Sequence, residues 1–380
     1  MEKRQQIVSA IMFLICLAVL SVGTVLRPKE TISETENRTL ASFPEVSADS
    51  LSNGAFMDGV ETYAADHFLG RTGWVSVKNT AELLAGKQEI GGVYITEERL
   101  IQKTAEEDLD PTVVDRSIAA IGTFASQTET PVAMLLVPTA AAIYSDTLLG
   151  CAPNFDQEAM IERVTEDLRG KVTMLHGYDA LYAARSEYIF YRTDHHWTSY
   201  GAYCVYQTAI RKLGFSPVSY DKYNISHVSS SFRGTLYSKC LYTDMEPDVL
   251  DLYTYEDGAK VTEVEVFDGV RTQLYDSVYF MDALNTKDQY QVYLGGNAAK
   301  ITVKTDVSNG KRLLLIKDSY ANSLLPFLTQ HYSEIVLLDL RYIRGSYREL
   351  ADPDDFSQVL ILYNAVTFAE DPSLVLLGAE

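Results

Sequence analysis

The sequence is poor in cysteine, and this shortage narrows the class of protein. Only Cys16, Cys151, Cys204 and Cys240 occur in 380 residues, and no two of them form a CxxC pair. Three cysteines at wide spacing follow the N-terminal apolar run. This pattern argues against a disulfide framework and against a thiolate zinc site. We expect buried free thiols, with a single disulfide as the alternative.

Basic residues are also scarce. The chain has 32 Lys and Arg against 52 Asp and Glu, which gives a formal net charge of −20. A protein that binds a nucleic-acid backbone needs a basic surface, so no nucleic-acid partner is expected. Such charge is typical of a soluble secreted or surface-exposed domain. Apolar residues make up 47% of the chain, so a sizeable core is expected and wholesale disorder is not.

One long segment has no charged residue at all. Residues 7–26, IVSAIMFLICLAVLSVGTVL, are apolar or small. At ~1.5 Å of helical rise per residue they span a hydrocarbon core of ~30 Å. Lys3 and Arg4 place the start of the chain in the cytoplasm. We predict an uncleaved signal-anchor, with a cleaved signal peptide as the alternative. Either way, residues 28–380 are expected outside the cytoplasmic membrane.

The hydrophobic pattern of the remaining sequence changes twice. Residues 28–105 contain a polar linker and amphipathic helical patterns, and residues 106–380 alternate apolar runs with helical spacing. The interval at about 215–310 interrupts that alternation and predicts a β-rich insertion. Residues 1–27 are then the membrane helix. The alternation predicts an α/β domain whose mostly parallel sheet is flanked by helices.

Three of the predicted strands end on polar residues, and the carboxyl ends of such strands are where sites form. Ser319 stands between a strand and a helix, whose N-terminal N–H groups would stabilise an oxyanion. The alternative is that Ser319 only caps this helix. Asn364 ends another strand and could donate to the same oxyanion or simply form a turn.

Arg341 ends the third strand and could hold a substrate anion, but we favour its pairing with Asp339. Tyr320 is a further candidate for oxyanion or substrate binding, because it directly follows Ser319.

The block TDHHW, residues 193–197, concentrates ionisable groups before a helical pattern. In an extended segment, Asp194 and His196 share one side and His195 faces away. A carboxylate beside an imidazole holds one tautomer and leaves the other nitrogen to act as a general base. The alternatives are a metal site formed with His195, which is strained because adjacent side chains diverge, and a purely structural role.

TDHHW with TSYGAY, and IKDSYANSLLPFL, resemble the DHHW family of bacterial surface proteins. That family is similar to the SGNH-hydrolase-like proteins of alginate O-acetylation. The order of the blocks resembles a circularly permuted SGNH hydrolase. The resemblance implies Ser319 as nucleophile, His196 as base and Asp194 as its orienting acid. Lys317 stands where the family has glycine, which places the oxyanion hole in question.

The resemblance implies a serine-dependent O-acyltransferase or esterase acting on acetyl groups of a cell-surface polysaccharide, without a cofactor. It also implies a multi-pass membrane O-acyltransferase as partner. The localisation would be the bacterial cell membrane, with one span and an extracytoplasmic catalytic domain. A different class of function stays open: a non-catalytic module that binds polysaccharide or acts as a scaffold in a surface-glycan modification complex.

Overall fold

A computed structural model describes residues 2–33 and 35–378. The chain divides into two compact units. The first comprises Met1–Ile90 with Tyr237–Asp244, and the second comprises Gly91–Leu236 with Met245–Glu380. The predicted limits of the three segments, after residues 27 and 105, stay predictions.

The first unit begins with one long apolar helix. Its segment Arg4–Leu26 has a mean hydropathy of 2.5 and is long enough to cross a membrane, which is consistent with a single-pass anchor. Where amphipathic helices were predicted, three helices follow. The elements are α1 (Glu2–Leu26), β1 (Ile32–Ser33), β2 (Arg38–Thr39), α2 (Ala48–Ser52), α3 (Ala55–Asp66), α4 (Arg71–Leu84) and β3 (Glu89–Ile90).

The second unit alternates strands and helices, as the sequence predicts. Its first half contains β4 (Val93–Ile95), β5 (Leu100–Gln102), α5 (Pro111–Gln127), β6 (Val132–Val137), α6 (Ala140–Ile143), α7 (Gln157–Asp167), β7 (Thr173–His176), α8 (Tyr178–Ala183) and α9 (Ser199–Lys212). Its second half contains β8 (Asn224–Phe232), the start of α10 (Thr235–Cys240), β9 (Asp248–Thr254), β10 (Val261–Phe267), β11 (Thr272–Tyr275), β12 (Lys300–Thr305), β13 (Arg312–Lys317), α11 (Ala321–Leu328), β14 (Glu334–Leu338), β15 (Gln358–Asn364) and α12 (Ala365–Glu370).

An eight-stranded sheet, in the order β11-β10-β12-β14-β13-β15-β6-β7, forms the centre of this unit. The five strands from β14 to β7 are parallel. Alternate residues of β13 enter two separate cores, Leu313 and Leu315 on one face and Leu314 and Ile316 on the other. Both faces are therefore covered, as parallel sheets require. The predicted α/β class with a mostly parallel sheet is confirmed.

The interval 215–310 is β-rich, as predicted, but it does not form a separate layer. Its strands β10, β11 and β12 continue the central sheet in antiparallel pairing, and β12 pairs with β14. Strands β8 and β9 form a hairpin of their own. The insertion therefore joins the fold at the edge of the parallel strands.

The cysteine prediction is right in part. No disulfide occurs among the described residues. Cys240 is buried and Cys204 is partly buried, but Cys151 is exposed. Cys151 lies in a turn between α6 and α7, and turns run over the surface.

Candidate active site

The structure brings Asp194, His196 and Ser319 together across 123 positions of sequence. Asp194 Oδ1 lies 2.6 Å from His196 Nδ1, and Ser319 Oγ lies 2.7 Å from His196 Nε2. Asp194 and His196 are buried, whereas Ser319 is partly exposed. An acid, an imidazole and a hydroxyl thus form one hydrogen-bonded chain that ends at accessible surface.

Asp194 is held in its charged form. Burial alone would raise the pKa of Asp194, but the charges of His195 and His196 and a hydrogen bond from His196 lower it well below its usual range. The Thr235 backbone N–H and hydroxyl donate to the second carboxylate oxygen at 2.8 and 3.0 Å. Gly234 permits this approach, because a Cβ there would lie 2.3 Å from the Asp194 side chain.

The imidazole of His196 is fixed from a second direction by Tyr290. The two rings stack with centroids 3.8 Å apart and an angle of 10° between their planes. The Tyr290 hydroxyl donates to Ser323 Oγ at 3.2 Å and contacts the Ser319 carbonyl oxygen at 3.3 Å. One side chain therefore touches both the histidine and the segment that carries the serine.

Residues 191–198, here called the histidine loop, have no regular structure of their own. The buried carboxylate of Asp248 on β9 shapes this loop. It accepts the backbone N–H groups of Arg192 and Thr193 at 2.6 and 2.8 Å, and also the hydroxyls of Thr193 and Tyr188. Burial raises the pKa of Asp248. The insertion thus supplies the bonds that a strand would otherwise provide.

The predicted orientation of His195 is wrong. Its ring lies 3.9 Å from the His196 ring, and its Nδ1 lies 2.7 Å from Thr235 Oγ1. The histidine loop is bent rather than extended, because a bridge between Phe190 and Trp197 closes it. The period-two alternation therefore does not apply, although Asp194 and His196 still meet.

Two residues at the end of the histidine loop fix it to the rest of the fold. Thr198 caps α9, accepting the Gly201 N–H at 3.1 Å. Trp197 is fully buried, and its ring N–H donates to the Tyr320 carbonyl at 3.0 Å.

Ser319 lies in residues 317–323, here called the serine turn, which run from the last residue of β13 into the start of α11. Asp318 Oδ1 accepts the Tyr320 backbone N–H at 2.9 Å, and burial raises the pKa of Asp318. Lys317 is fully buried and donates to Asn297 and Asn322 at 2.7 Å each. Burial lowers the pKa of Lys317 to about 8. The lysine in place of glycine is therefore part of a polar network beneath the serine.

The other predicted site residues are close to this turn but are engaged elsewhere. The Asn364 amide donates to Asp318 Oδ2 at 2.6 Å and to Thr367 Oγ1 at 2.7 Å. Its side-chain oxygen caps α12. The Tyr320 hydroxyl donates to the His195 carbonyl. Arg341 forms a two-bond ion pair with Asp339, at 2.8 and 2.7 Å, which is the pairing that the sequence favours.

A metal would compete with this arrangement. Asp194, His195 and His196 can each offer an atom within 4.8 Å of the others. Both ring nitrogens of His196 are already occupied, by the Asp194 carboxylate and the Ser319 hydroxyl. A metal ligand at His196 would break one of these bonds. The geometry therefore favours proton transfer over metal binding at this position.

A cavity of about 130 Å³ opens beside the site. Tyr320, His195 and Asn364 line it together with polar side chains from other elements, which are Gln102, Thr139, Thr367 and Glu370. This space suits a small group with hydrogen-bonding partners around it.

Sequence reasoning did not find Thr235, Tyr290 or Asp248. All three lie in the insertion, where no periodic pattern distinguishes them from surface residues. The only available indication is GTL, residues 234–236, a glycine–threonine pair of the kind that begins a tight turn.

Comparisons with known proteins agree with this fold. The DHHW protein family model matches residues 108–338, more than half of the chain. No curated protein matches the sequence significantly.

Solved structures similar to this chain include a DHHW family protein from Eubacterium siraeum. It has 21% identity, a TM-score of 0.65, and coverage of 76% of this chain and 95% of that one. Bacillus cereus PatB1 with a sulfonyl adduct has 20% identity, a TM-score of 0.63, and coverage of 74% and 97%. The O-acetyltransferase domain of Pseudomonas putida AlgJ has 15% identity, a TM-score of 0.46, and coverage of 76% and 99%.

The match to the family model and the shared fold confirm the predicted family. The chain belongs to the DHHW protein family.

Proposed function

We propose that the protein is a serine-dependent O-acyltransferase or esterase that handles acetyl groups of a cell-surface polysaccharide. Ser319 Oγ attacks the acyl carbonyl while its proton passes to His196 Nε2. The leaving group takes that proton, and an acyl-serine remains. A sugar hydroxyl or water then attacks, again losing its proton to His196, and Ser319 is regenerated. The observation that carries this proposal is the Asp194–His196–Ser319 chain, with heavy-atom distances of 2.6 and 2.7 Å.

The oxyanion of this reaction needs donors beside Ser319. The Ser319 backbone N–H makes no hydrogen bond within the described part of the chain and is the first candidate. Asn364 remains a predicted donor, but its amide would have to release Asp318 or Thr367. One donor of this kind contributes ~3–4 kcal/mol to the transition state.

Relatives support acyl chemistry. The sulfonyl adduct on PatB1 is a covalent mark of a nucleophilic site in a protein of the same fold. We infer transfer to a polysaccharide rather than hydrolysis from the family's similarity to alginate O-acetylation. We also propose that α1 anchors the chain, with the second unit outside the cytoplasm, and that a multi-pass membrane O-acyltransferase supplies the acyl group.

A fluorophosphonate probe followed by mass spectrometry tests the central claim. We expect a single adduct on Ser319, which the His196→Ala variant abolishes, and turnover of p-nitrophenyl acetate that Ser319→Ala removes. Ser323→Ala, on the same turn, serves as the matched control and should keep labelling. Labelling of another residue would contradict Ser319 as the nucleophile. A parent protein without labelling and turnover would favour the non-catalytic polysaccharide-binding module.

Transfer and hydrolysis are separated by a second measurement. Acetylated protein, isolated after reaction with an acetyl donor, is offered purified bacterial cell-wall polysaccharide. We expect the acetyl group to move to the polysaccharide faster than it is released to water. Equal loss with and without polysaccharide would identify an esterase.

A further inference from the structure

Helix α4 carries an apolar face that nothing in its unit covers. The residues at i, i+3, i+7 and i+10 along one side are Trp74, Val77, Ala81 and Leu84. The large ones are 54%, 62% and 86% exposed. On the opposite side Asn79 is buried and donates to a backbone carbonyl at 2.6 Å. The helix therefore docks through the side that carries Asn79, where Val75 and Leu83 are partly buried, and leaves a second, apolar face exposed.

This helix begins beside the end of the apolar helix α1. The Leu69 backbone N–H donates to Thr24 Oγ1 at 3.0 Å. The Leu69 side chain packs on Gly23, where a Cβ would come within 2.6 Å of Leu69 Cδ2. Gly23 and Thr24 lie in the last turn of α1, and α4 starts at Arg71. Helix α4 therefore starts beside the C-terminal end of α1, and Trp74 lies in its first turn.

Two segments that the proposed chemistry does not use hold this junction, ENRTLASFP at residues 36–44 and DHFLGR at residues 66–71. Asp66 pairs with Arg38 through both carboxylate oxygens, at 2.5 and 3.0 Å, and also accepts the Ala41 N–H at 2.9 Å. Arg71, at the start of α4, forms an ion pair with Glu36. Both acids are largely buried in this cluster. The first turn of α4 is therefore fixed to the segment that leaves α1.

We propose that α4 lies in the interfacial layer of the membrane, with Trp74, Val77 and Leu84 immersed between lipid headgroups and acyl chains. The inference rests on α1 being the membrane anchor put forward above. A tryptophan at the end of a membrane helix suits this layer, and amphipathic helices of this kind bind lipid surfaces. The exposed Lys78 flanks the face and can extend its amine toward water.

The proximity of α4 to the end of α1 favours lipid over a protein partner as the occupant of this face. If α1 spans the membrane, the first turn of α4, with Trp74, starts where that span ends. The face itself carries no charged side chain. Binding should therefore depend on apolar burial, act on neutral lipid and resist salt.

Tryptophan fluorescence gives a direct test, because the chain has only Trp74 and Trp197. The full chain is reconstituted into phosphatidylcholine vesicles that carry a nitroxide either near the headgroup or deep in the acyl chain. We expect the shallow label to quench Trp74 more than the deep one, at low and high salt. Trp197 is fully buried in the second unit and should report a constant background. In Trp74→Phe, the quenched component should disappear.

Matched variants separate lipid contact from mere exposure. Val77→Glu combined with Leu84→Glu should remove more than half of the shallow quenching and shift Trp74 emission to the red. Thr72→Glu places one added carboxylate at an exposed position away from the apolar face and should leave quenching unchanged. Thermal melts of all variants should coincide, because every changed side chain is exposed.

The outcomes distinguish the two proposals. Chains that do not float with the vesicles overturn the anchor. Chains that float but show equal Trp74 quenching by both labels, or none, overturn the interfacial helix alone. Shielding of Trp74 that occurs only when a second membrane protein is added also overturns it, and identifies the face as a protein contact.

Discussion

The two segments that meet at the candidate site are built in opposite ways. The serine turn continues a strand that is buried between two parallel neighbours, so the sheet itself positions Ser319. The histidine loop has no ladder and depends on side chains of the insertion, chiefly Asp248, Thr235 and Tyr290. The proposed nucleophile is therefore positioned by the central sheet, whereas the proposed base is held by side chains of the insertion. The two should respond differently to mutation.

The largest expected effect is a loss of kcat that is the same for a change in either segment. Ser319→Ala and His196→Ala should each lower kcat by ~10⁴-fold or more, and the double variant should be no worse, because the groups act as one unit. Turnover of an activated acetyl ester measures this. Additive losses in the double variant would mean that the two segments work independently, contrary to the geometry.

Asp248→Ala should damage the histidine loop and spare the serine turn. It leaves one buried and one partly buried backbone N–H group without acceptors, so we expect the free energy of unfolding to fall by about 3 kcal/mol. Displacement of the base by about 1 Å would lower kcat by ~10²-fold. Chemical denaturation and ester turnover check both expectations.

Asp251→Ala on the same strand is the control for this change. The Asp251 carboxylate contacts the exposed His227, so its loss should change stability by less than about 1 kcal/mol. Equal effects of the two variants would contradict a specific role for Asp248.

Tyr290 contacts both segments, so its variants test how far the position of His196 depends on the insertion. Tyr290→Leu removes the ring above His196 and should lower kcat by about tenfold, the equivalent of one stacking contact. Tyr290→Phe keeps the ring and should retain activity within about threefold. A shift in the acidic limb of the pH–rate profile only in the leucine variant would identify a positioning role. Identical profiles in both variants would point to packing alone.

The smallest effect concerns stability beneath the serine turn. The pKa of Lys317 is lowered to about 8 by burial, whereas in the unfolded chain it is ~10.4. Between these values the unfolded state binds more protons, so the free energy of unfolding should rise with pH, by at most ~1.4 kcal/mol per unit. Denaturation between pH 8 and 9.5 should show this rise in the parent and a flatter curve in Lys317→Met. The exposed Lys304→Met is the control and should keep the parent's slope.

The same contrast explains what could be predicted from the sequence. Ser319 and Asn364 were found because continuous apolar runs mark strands buried on both faces, and such strands end at a common edge. Asp194 and His196 were paired by an alternation argument, although the loop is bent. The conclusion held because the carboxylate and the ring are neighbours in either backbone shape.

The insertion residues that hold the histidine loop could not be predicted in the same way. Asp248 and Tyr290 are buried, but an acid in a short strand and a tyrosine in a 3₁₀ turn are residues that the sequence pattern does not mark as buried. Their roles depend on which loop the insertion contacts in the folded protein, and a single sequence does not reveal such long-range contacts. The Asn364 amide is a similar case, because its hydrogen bond to Asp318 depends on the pairing of β13 with β15, whereas its bond to Thr367 is local to the start of α12.

The insertion lies between the histidine loop and the serine turn in sequence, and this order has a consequence for biosynthesis. A nascent chain that has emerged as far as α9 already contains its acid and its imidazole, but neither has its bracing. The hydroxyl arrives more than a hundred residues later, after the braces have been made. If Ser319 is the nucleophile proposed above, a chain that ends before β13 lacks the attacking hydroxyl, and we expect it to be inactive toward acyl esters.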